Sequence, residues 1–364
     1  MRVLIRTDAS LQIGTGHVMR CLTLARELRA QGGEVVFASR EHEGHLGDML
    51  ESEGFPVLRL PLLAWEPVKG ALKHAAWLGC DWQLDAAQVE ASLREAGGAW
   101  DLLIVDHYAL DARWERRLRS LFRCVLTIDD LADREHDCDL LLDQNLMPDA
   151  STRYEGLVPR ACERLLGPRF ALLRPEFRDQ RERLARRTGR VRRLSVCFGG
   201  VDPTNETAKV LRALRGVRGE PFGIEVITGR HNPHLAELQA LVSELPDASL
   251  VVEAADMARR FAQADLALGA AGSTSWERAC LGLPALLIAV AHNQEAIGQG
   301  LASAGAAIYL GPSGRVSEDA IRSEVERWQT QPDALRSMGS RAFDLVDGLG
   351  ARRVATRLRK DVVA

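Results

Sequence analysis

The chain has 364 residues, of which 46% are hydrophobic and 27% are charged, values typical of folded globular proteins. Its formal net charge of −3 provides no general attraction to nucleic acid or to a membrane surface. This length is sufficient for two domains, each with its own core. The N-terminus has no signal-peptide pattern, and no apolar stretch reaches the roughly 18 residues of a membrane span. The seven scattered cysteines form no C-x-x-C pair, which favours reduced thiols. We therefore expect a cytoplasmic protein that binds neither nucleic acid nor a membrane.

Short apolar runs alternate with helical patterns along the first half of the chain. Apolar residues recur at helical spacing over residues 18–28 and 113–121. Short, continuous apolar runs are typical of strands buried on both faces, and their alternation with helices predicts a parallel sheet. The predicted strands of this half are residues 3–5, 35–38, 102–105, 124–128 and 140–142.

The same alternation restarts near residue 194, with a helical pattern over residues 208–214. Two successive series of this kind predict two Rossmann-like, doubly wound α/β domains. A (β/α)₈ barrel is the competing interpretation, and it fits less well because a basic stretch without strands interrupts the series. The predicted strands of this half are residues 194–198, 223–228, 249–252, 266–269 and 285–288.

That basic stretch, residues 178–193, is either a patch for RNA or acidic lipid, or a solvated helix face that connects the domains. We favour the connector, because no aromatic residues are interleaved for base stacking. We place the first domain at residues 1–168 and the second at residues 169–342. The C-terminal segment, residues 343–364, is expected to be helical and to pack back on the first domain.

An irregular insert is predicted over residues 62–100. It holds Trp65, Trp77, Trp82 and Trp100. These side chains either pack on the edge of the first domain or line a substrate cleft, and the sequence leaves both possibilities open.

The most suggestive functional residue is His17, which follows the first predicted strand. Gly14 and Gly16 precede it, so the backbone can turn sharply and approach a ligand closely. Open α/β sheets bind ligands at the carboxyl ends of their strands. The dipole at a helix start disfavours the imidazolium form, which would keep His17 neutral and able to accept a proton. A purely structural histidine is the alternative. The segment is not a dinucleotide fingerprint, because it lacks the third glycine of G-x-G-x-x-G.

Two glycine-rich turns follow strands in the second half of the chain. The first contains Gly199, Gly200 and Asp202. The second leads through Ser273 and Thr274 into a helix, and small residues with hydroxyls at such a point are typical of a phosphate-binding loop. Glu277, about one turn into that helix, is placed to accept hydrogen bonds from a ribose diol. Its alternative role is that of an acid stabilising the first helical turn.

An acidic cluster lies near residues 129–139. The Asp137-Cys138-Asp139 segment matches the D-x-D pattern of metal-dependent sugar transferases. A three-residue match does not define the oxygen ligands that a cation needs. We therefore interpret this cluster as polar strand-end and loop residues and predict no metal site. Its other members are Asp129, Asp130, Asp133 and His136.

Taken together, these motifs resemble the UDP-2,4-diacetamido-2,4,6-trideoxy-β-L-altropyranose hydrolases of pseudaminic acid biosynthesis. The resemblance covers nearly the whole chain, and the insert is its main departure. The matching segments are residues 6–10, 13–17 with Arg20, 104–108, 128–130, 154–159, 170–174 with 176–177, 199–202, 232–233, 273–277 and 293–294.

That family is similar in fold to the GT-B glycosyltransferases, including the N-acetylglucosaminyltransferase that makes lipid II. The resemblance implies two Rossmann-like domains facing a central cleft, with UDP held mostly by the C-terminal domain. It also implies that water replaces UDP at the anomeric carbon without a metal or cofactor. The resemblance implies that the family's catalytic histidine falls on His17. Glu277 matches the ribose-binding acid of the related transferases, and Asn293 and Gln294 match a segment facing the sugar or phosphates. Asp8, Arg20, Tyr108 and Asn293 are candidates for recognising the sugar.

The resulting hypothesis is an inverting UDP-sugar hydrolase with His17 as general base, acting on a small-molecule substrate as a monomer or weak dimer. A GT-B glycosyltransferase, in which His17 deprotonates an acceptor hydroxyl, is one alternative. A non-catalytic UDP-sugar-binding protein is the other.

Overall fold

The computed structural model describes residues 1–63, 72–185 and 187–363, with side chains up to residue 360. These residues form two compact units. The first comprises Met1–Asn145, Asp149–Leu173 and Leu349–Ala364, and the second comprises Leu146–Pro148 and Arg174–Gly348. The chain therefore passes from the first unit into the second at Leu173 and returns at Leu349.

The first unit is a parallel sheet covered by helices on both faces. Its strand order is β3-β2-β1-β4-β5-β6-β7, and each neighbouring pair is parallel. The strands are β1 Arg2–Thr7, β2 Glu34–Arg40, β3 Val57–Leu60, β4 Leu102–Asp106, β5 Cys124–Ile128, β6 Leu140–Asp143 and β7 Glu163–Leu166, and the helices are α1 Gly16–Ala30, α2 Gly47–Ser52, α3 Trp82–Ala96 and α4 Ala112–Leu118.

The second unit repeats this plan. Its strand order is β10-β9-β8-β11-β12-β13, again with parallel neighbours. The strands are β8 Arg193–Cys197, β9 Gly223–Thr228, β10 Ala248–Val252, β11 Leu266–Ala270, β12 Ala285–Ala289 and β13 Ile308–Pro312, and the helices are α5 Pro175–Glu182, α6 Glu206–Leu214, α7 Leu235–Ser243, α8 Met257–Gln263, α9 Thr274–Cys280, α10 Asn293–Ser303, α11 Glu318–Gln329 and α12 Pro332–Leu345.

The last helix, α13 Gly350–Val363, belongs to the first unit and packs against α1. Val354, Ala355 and Leu358 lie on one face of α13 and are fully buried among the side chains of α1 and β1. The side chains at these positions, spaced by one, three and four residues, supply the apolar stripe that holds the helix to the sheet.

Both sheets have the strand order of a Rossmann fold, in which the order reverses between the first and fourth strands. The predicted fold class, two Rossmann-like α/β domains, is confirmed. The barrel alternative is wrong because the strands form two separate open sheets instead of one closed barrel. The central strands are buried on both faces, which is why they appear in the sequence as continuous apolar runs. No helix in the described part of the chain is long and apolar enough to span a membrane.

The insert is more regular than predicted. It contains the helix α3, and Asp81 is the N-cap of this helix. The Asp81 side chain accepts a hydrogen bond from the Gln83 amide at 2.8 Å. Its three described tryptophans have different surroundings. Trp100 is buried under the Arg2 guanidinium, and Trp82 lies beside Arg113. Trp77 lies beside His17, and Trp65 is outside the described residues.

Two arginines of the basic stretch have a structural role. Arg181 donates to the carbonyl oxygens of Cys280, Phe343 and Val346 at 2.8–2.9 Å, near the C-terminal ends of α9 and α12. Arg187 binds the carbonyl oxygens of three further residues, Phe261, Ala264 and Leu281. Cations at such positions satisfy carbonyls that lack helical partners. The predicted face was solvated, with some arginines paired to Asp179 and Glu182; Arg178 does pair with Glu182, whereas Arg181 and Arg187 bind backbone carbonyls instead.

Candidate active site

The strand order places the first candidate site at the carboxyl ends of β1 and β4. These strands are neighbours, with Thr7 opposite Asp106 in the register. The helices that follow them cover opposite faces of the sheet, so the two loops separate and leave a crevice, where open α/β folds bind ligands.

The loop after β1 is held by hydrogen bonds between its own residues. The Ser10 hydroxyl accepts hydrogen bonds from the amides of Gln12 and Ile13 at 3.1 and 2.9 Å, and the Gly14 amide donates to the Ser10 carbonyl at 2.8 Å. Gly14 has a φ of +80°, which favours glycine. A Cβ on Gly14 or Gly16 would meet no described atom within 4 Å, so the space beside this loop is open.

His17 lies in the first turn of α1, directly after this loop. Its Nδ1 lies 2.7 Å from a carboxylate oxygen of Asp106, at the end of β4. Arg20, one turn further along α1, donates to both oxygens of the same carboxylate at 2.6 Å. Asp106 is fully buried and His17 is 9% exposed. The three side chains therefore form one hydrogen-bonded group.

These partners determine the histidine tautomer. An ionised carboxylate only accepts hydrogen bonds, so Nδ1 of His17, at 2.7 Å from Asp106, carries a proton, and the lone pair of the neutral ring lies on Nε2. Arg20 Nη2, which can only donate, lies further from Nδ1, at 3.2 Å. Burial alone would raise the pKa of Asp106, but the Arg20 charge and the contact with His17 hold it well below its usual range. The carboxylate is thus ionised at neutral pH and stabilises an imidazolium formed when Nε2 takes a proton.

Tyr108 and Asp130 extend this group. The Tyr108 hydroxyl donates to Asp130, which also accepts from Arg20 Nη1 at 3.2 Å. The Tyr108 ring stands edge-on to the His17 ring, with centroids 4.6 Å apart. Burial and the Asp130 charge raise the pKa of Tyr108 well above its ordinary value. Tyr108 therefore remains a neutral phenol whose hydroxyl is used within the protein.

Asp8 lies behind the loop and is fully buried. One of its oxygens accepts from Arg6 at 2.6 Å and from the Arg40 amide at 2.7 Å, and the other lies 3.2 Å from His107 Nε2. Arg6 in turn binds Asp85 of α3. Asp8 is thus part of a buried ionic network that joins β1, β2 and the insert.

The second unit has an equivalent point between β8 and β11, where Cys197 lies opposite Gly269. After β8, Gly199 has a φ of +94° and open space where a Cβ would lie. The Gly200 carbonyl accepts from the Gly229 amide at 3.1 Å. The carboxylate of Asp202 accepts from two amides of the first turn of α6. Asp202 therefore acts as a helix cap, while Gly199 leaves its loop open.

The loop after β11 brings Ser273 and Thr274 to the start of α9. Glu277 follows within that helix, and one of its oxygens lies 3.6 Å from Arg174. Burial raises the pKa of Glu277, and the Arg174 charge opposes this shift. The Glu277 side chain is 18% exposed, and this distant ion pair is the only one its carboxylate makes among the described residues. The carboxylate therefore has capacity to accept hydrogen bonds from a ligand.

Asn293 and Gln294 open α10, after β12. Gln294 accepts from the Val290 amide at 3.1 Å, and its Nε2 lies 3.3 Å from where a Cβ on Gly272 would be. Gln294 thus borders the Ser273 loop, whereas Asn293 is exposed at the helix start.

The D-x-D segment has structural partners. Asp139 accepts from the Val125 amide at 2.8 Å and from Arg119, and the Asp137 amide donates to Glu115. Among the described residues, the structure has no group of three or more His, Cys, Asp or Glu side chains arranged to hold a metal ion.

The structure thus groups the predicted residues into two sets. His17, Arg20 and Tyr108 meet beside the Gly14 loop, and the Gly199, Ser273 and Gln294 segments lie at the carboxyl ends of adjacent strands in the second unit. Sequence reasoning missed Asp106 and Asp130 as site residues. The available signal was their position, since each follows a predicted strand that ends near His17 in the sheet.

The chain was compared with known proteins. No family model matches the chain. It is 28% identical over 307 residues to the UDP-2,4-diacetamido-2,4,6-trideoxy-β-L-altropyranose hydrolase of Campylobacter jejuni, covering 84% of this chain and 97% of that protein.

Solved structures of glycosyltransferases have the same fold. MurG of Acinetobacter baumannii matches with a TM-score of 0.70 and 17% identity, over 99% of each chain. The spinosyn rhamnosyltransferase SpnG, complexed with spinosyn aglycone, matches with a TM-score of 0.61 and 18% identity, over 98% of this chain and all of that one. The chain therefore has the two Rossmann-like domains of GT-B glycosyltransferases, and its sequence is similar to that of a UDP-sugar hydrolase.

Proposed function

We propose that this protein hydrolyses a UDP-linked 2,4-diacetamido-2,4,6-trideoxy hexose, releasing UDP and the free sugar, as in pseudaminic acid biosynthesis. The observation that carries the proposal is the His17–Asp106 pair at the carboxyl ends of β1 and β4. A buried carboxylate that fixes Nδ1–H leaves Nε2 with the lone pair of a general base, and the space beside the neighbouring Gly14 and Gly16 is open. The similarity to the Campylobacter hydrolase over most of both chains supports the same reaction.

In this mechanism, Nε2 of His17 removes a proton from water as the water oxygen bonds to the anomeric carbon. The bond between that carbon and the β-phosphate oxygen breaks, and UDP leaves with the electron pair. Attack opposite the leaving group inverts the configuration. The positive charge that forms on His17 is stabilised by ionised Asp106. General-base assistance of this kind contributes about 10²–10⁴-fold to the rate.

The second unit provides the groups for the UDP part. Backbone amides of the Gly199 and Ser273 loops, with the hydroxyls of Ser273 and Thr274, suit the diphosphate. Such donors stabilise the charge that develops on departing UDP, so a separate general acid is not required. Glu277 suits the ribose diol, since its carboxylate is partly exposed and accepts hydrogen bonds.

The direct test is incubation with a panel of UDP-linked diacetamido sugars, followed by NMR. We expect UDP and free sugar without an acceptor, and ¹⁸O from labelled water in the sugar rather than in UDP. His17→Ala should abolish turnover while UDP binding, measured by calorimetry, stays nearly unchanged. Near-normal turnover of that variant would exclude His17 as the base, and UDP-sugar binding without any product would favour a non-catalytic binding protein.

The fold of the solved neighbours favours a glycosyltransferase as the second candidate. In that case the same His17 Nε2 would deprotonate an acceptor hydroxyl instead of water. Free sugar released without an acceptor argues against it, whereas turnover that appears only after an alcohol acceptor is added would establish it.

A further inference from the structure

A buried arginine holds the Ser273 loop of the second unit. Arg278 belongs to α9 and is 1% exposed. Its Nη2 donates to the Ala270 carbonyl oxygen at 2.6 Å and to the Ser275 hydroxyl at 3.0 Å. Because these two acceptors lie on either side of Ser273 in the chain, one guanidinium nitrogen holds both ends of the loop.

The same guanidinium lies where the strand order of the second sheet reverses. β8 and β11 are neighbours there, with Cys197 opposite Gly269. A Cβ on Gly269 would lie 2.5 Å from Arg278 Nη1, so a larger residue at this position would displace the guanidinium. Open α/β sheets bind ligands at such a point. The cation is therefore placed at the strand ends that border the proposed diphosphate site.

The protein does not balance the charge of Arg278. In the described part of the chain this side chain makes no ion pair, and its Nε and Nη1 have no hydrogen-bond partner. Burial lowers the pKa of Arg278 to about 10, although the Glu277 charge opposes the shift, so the side chain is still cationic at pH 7. An unpaired buried charge is costly, and a bound anion would supply the missing charge.

Arg187 shows how a structural arginine of the same unit differs. It is also largely surrounded by protein, but each of its three nitrogens donates to a backbone carbonyl oxygen. Arg278 uses one nitrogen in this way and leaves two without a partner. Holding the loop therefore accounts for only part of the Arg278 side chain.

We infer that Arg278 is a positioning residue for the diphosphate: its unpaired charge attracts the two phosphates to the Ser273 loop, which it also holds in place. The inference rests on the proposed function, in which this loop binds UDP. A guanidinium that is 1% exposed does not touch the ligand, so it acts through its field and through the loop. Away from bulk water such a field acts over several ångströms.

The test compares the affinities of UDP and uridine, which differ only in the diphosphate, by calorimetry. Arg278→Met should weaken UDP binding by about 10–100-fold and leave uridine binding nearly unchanged, because only the phosphates interact with the lost charge. Arg278→Gln, which keeps a hydrogen-bond donor without the charge, should behave in the same way. Arg278→Lys should retain most of the UDP affinity. Arg260→Met is the matched control, because Arg260 is paired with Glu225 and Asp256, and it should leave both affinities unchanged.

Three results would overturn the inference: unchanged UDP affinity in the neutral variants, an equal loss of UDP and uridine affinity, or a loss in Arg278→Lys as large as in Arg278→Met. If the wild type hydrolyses the UDP-sugar, any of these leaves the proposed function standing. Binding of inorganic pyrophosphate separates the opposite case. Absence of hydrolysis by the wild type, together with pyrophosphate binding that Arg278→Met weakens and Arg260→Met does not, would refute the function and leave the role of Arg278 standing.

Discussion

The Asp106 carboxylate offers the sharpest test of the proposed chemistry. In Asp106→Asn the side chain keeps its shape but loses its charge and one acceptor. Arg20 donates to both carboxylate oxygens at 2.6 Å, and the oxygen bound by Arg20 Nη2 is also the one that contacts His17. An amide NH₂ at either position therefore faces a donor of Arg20. The neutral amide also cannot stabilise a positive charge on His17 as the carboxylate does, so the imidazolium that forms when Nε2 takes a proton is destabilised and the base becomes weaker.

The expected loss follows from what the base contributes. A general base contributes about 10²–10⁴-fold, which corresponds to ~2.7–5.4 kcal/mol at 1.36 kcal/mol per tenfold. We expect Asp106→Asn to lower kcat by this range with little change in KM, because Asp106 is fully buried and does not contact substrate. His17→Ala should fall in the same range, and the double variant should lose little more, since the two residues act as a unit.

The assay is the initial rate of UDP release, with thermal unfolding to show that each variant is folded. Asp130→Asn is the matched control, because Asp130 contacts Arg20 and Tyr108 but makes no hydrogen bond to His17 among the described residues. It should cost much less activity than Asp106→Asn. The reasoning is refuted if a folded Asp106→Asn variant keeps kcat within about threefold of wild type, or if the losses of the two single variants multiply in the double variant.

Three further predictions follow from other parts of the structure. Glu277→Gln should weaken UDP binding about 10-fold or more, the value of a lost charge-assisted hydrogen bond. Calorimetry would contradict a ribose role if the substitution weakened the binding of 2′-deoxy-UDP as much as it weakened the binding of UDP. Asp85→Ala should lower the free energy of unfolding by about 3–5 kcal/mol in urea titrations, because Arg6 and Arg40 would be left buried without that carboxylate; a loss below about 1 kcal/mol would show that the network relaxes. Burial raises the pKa of Asp143 to about 7, so the folded state holds this proton more tightly than the unfolded chain, and the associated stability is present at low pH and lost as pH rises through about 7. Asp143→Asn should remove this part of the pH dependence, at most ~4 kcal/mol between pH 4 and 8, and identical pH profiles of the two proteins would contradict it.

Much of the fold was readable from the sequence because buried parallel strands are continuous apolar runs. The central strands of both sheets lie where the pattern predicts them. The edge strands β3, β7 and β13 were missed for different reasons: β3 has only four residues, β7 begins with the charged Glu163 and Arg164, and β13 contains Gly311 and Pro312, residue types depleted in strands. The helix α3 was missed for a related reason: its buried face includes the charged Asp85, which breaks the apolar periodicity.

Some residues of the candidate site could likewise be predicted from the sequence, and others could not. His17, Gly14 and Gly16 could be singled out from local sequence, because a glycine turn between a strand and a helix is encoded within a few residues. Asp106 could not, since it lies 89 residues further along the chain and its role depends on β4 pairing with β1. Strand pairing is set by tertiary packing, which no local pattern records.

The sequence by itself therefore determined two Rossmann-like domains, a histidine at a strand end and glycine-rich loops in both halves. Only the tertiary structure decided that Asp106 accepts a hydrogen bond from His17, that Asp8 and Asp202 are used within the protein, and that Trp77 of the insert lies beside His17. The physical reason is that local sequence sets backbone conformation and burial pattern, whereas the partner of a buried charge or ring is chosen by which strands and loops the fold brings together.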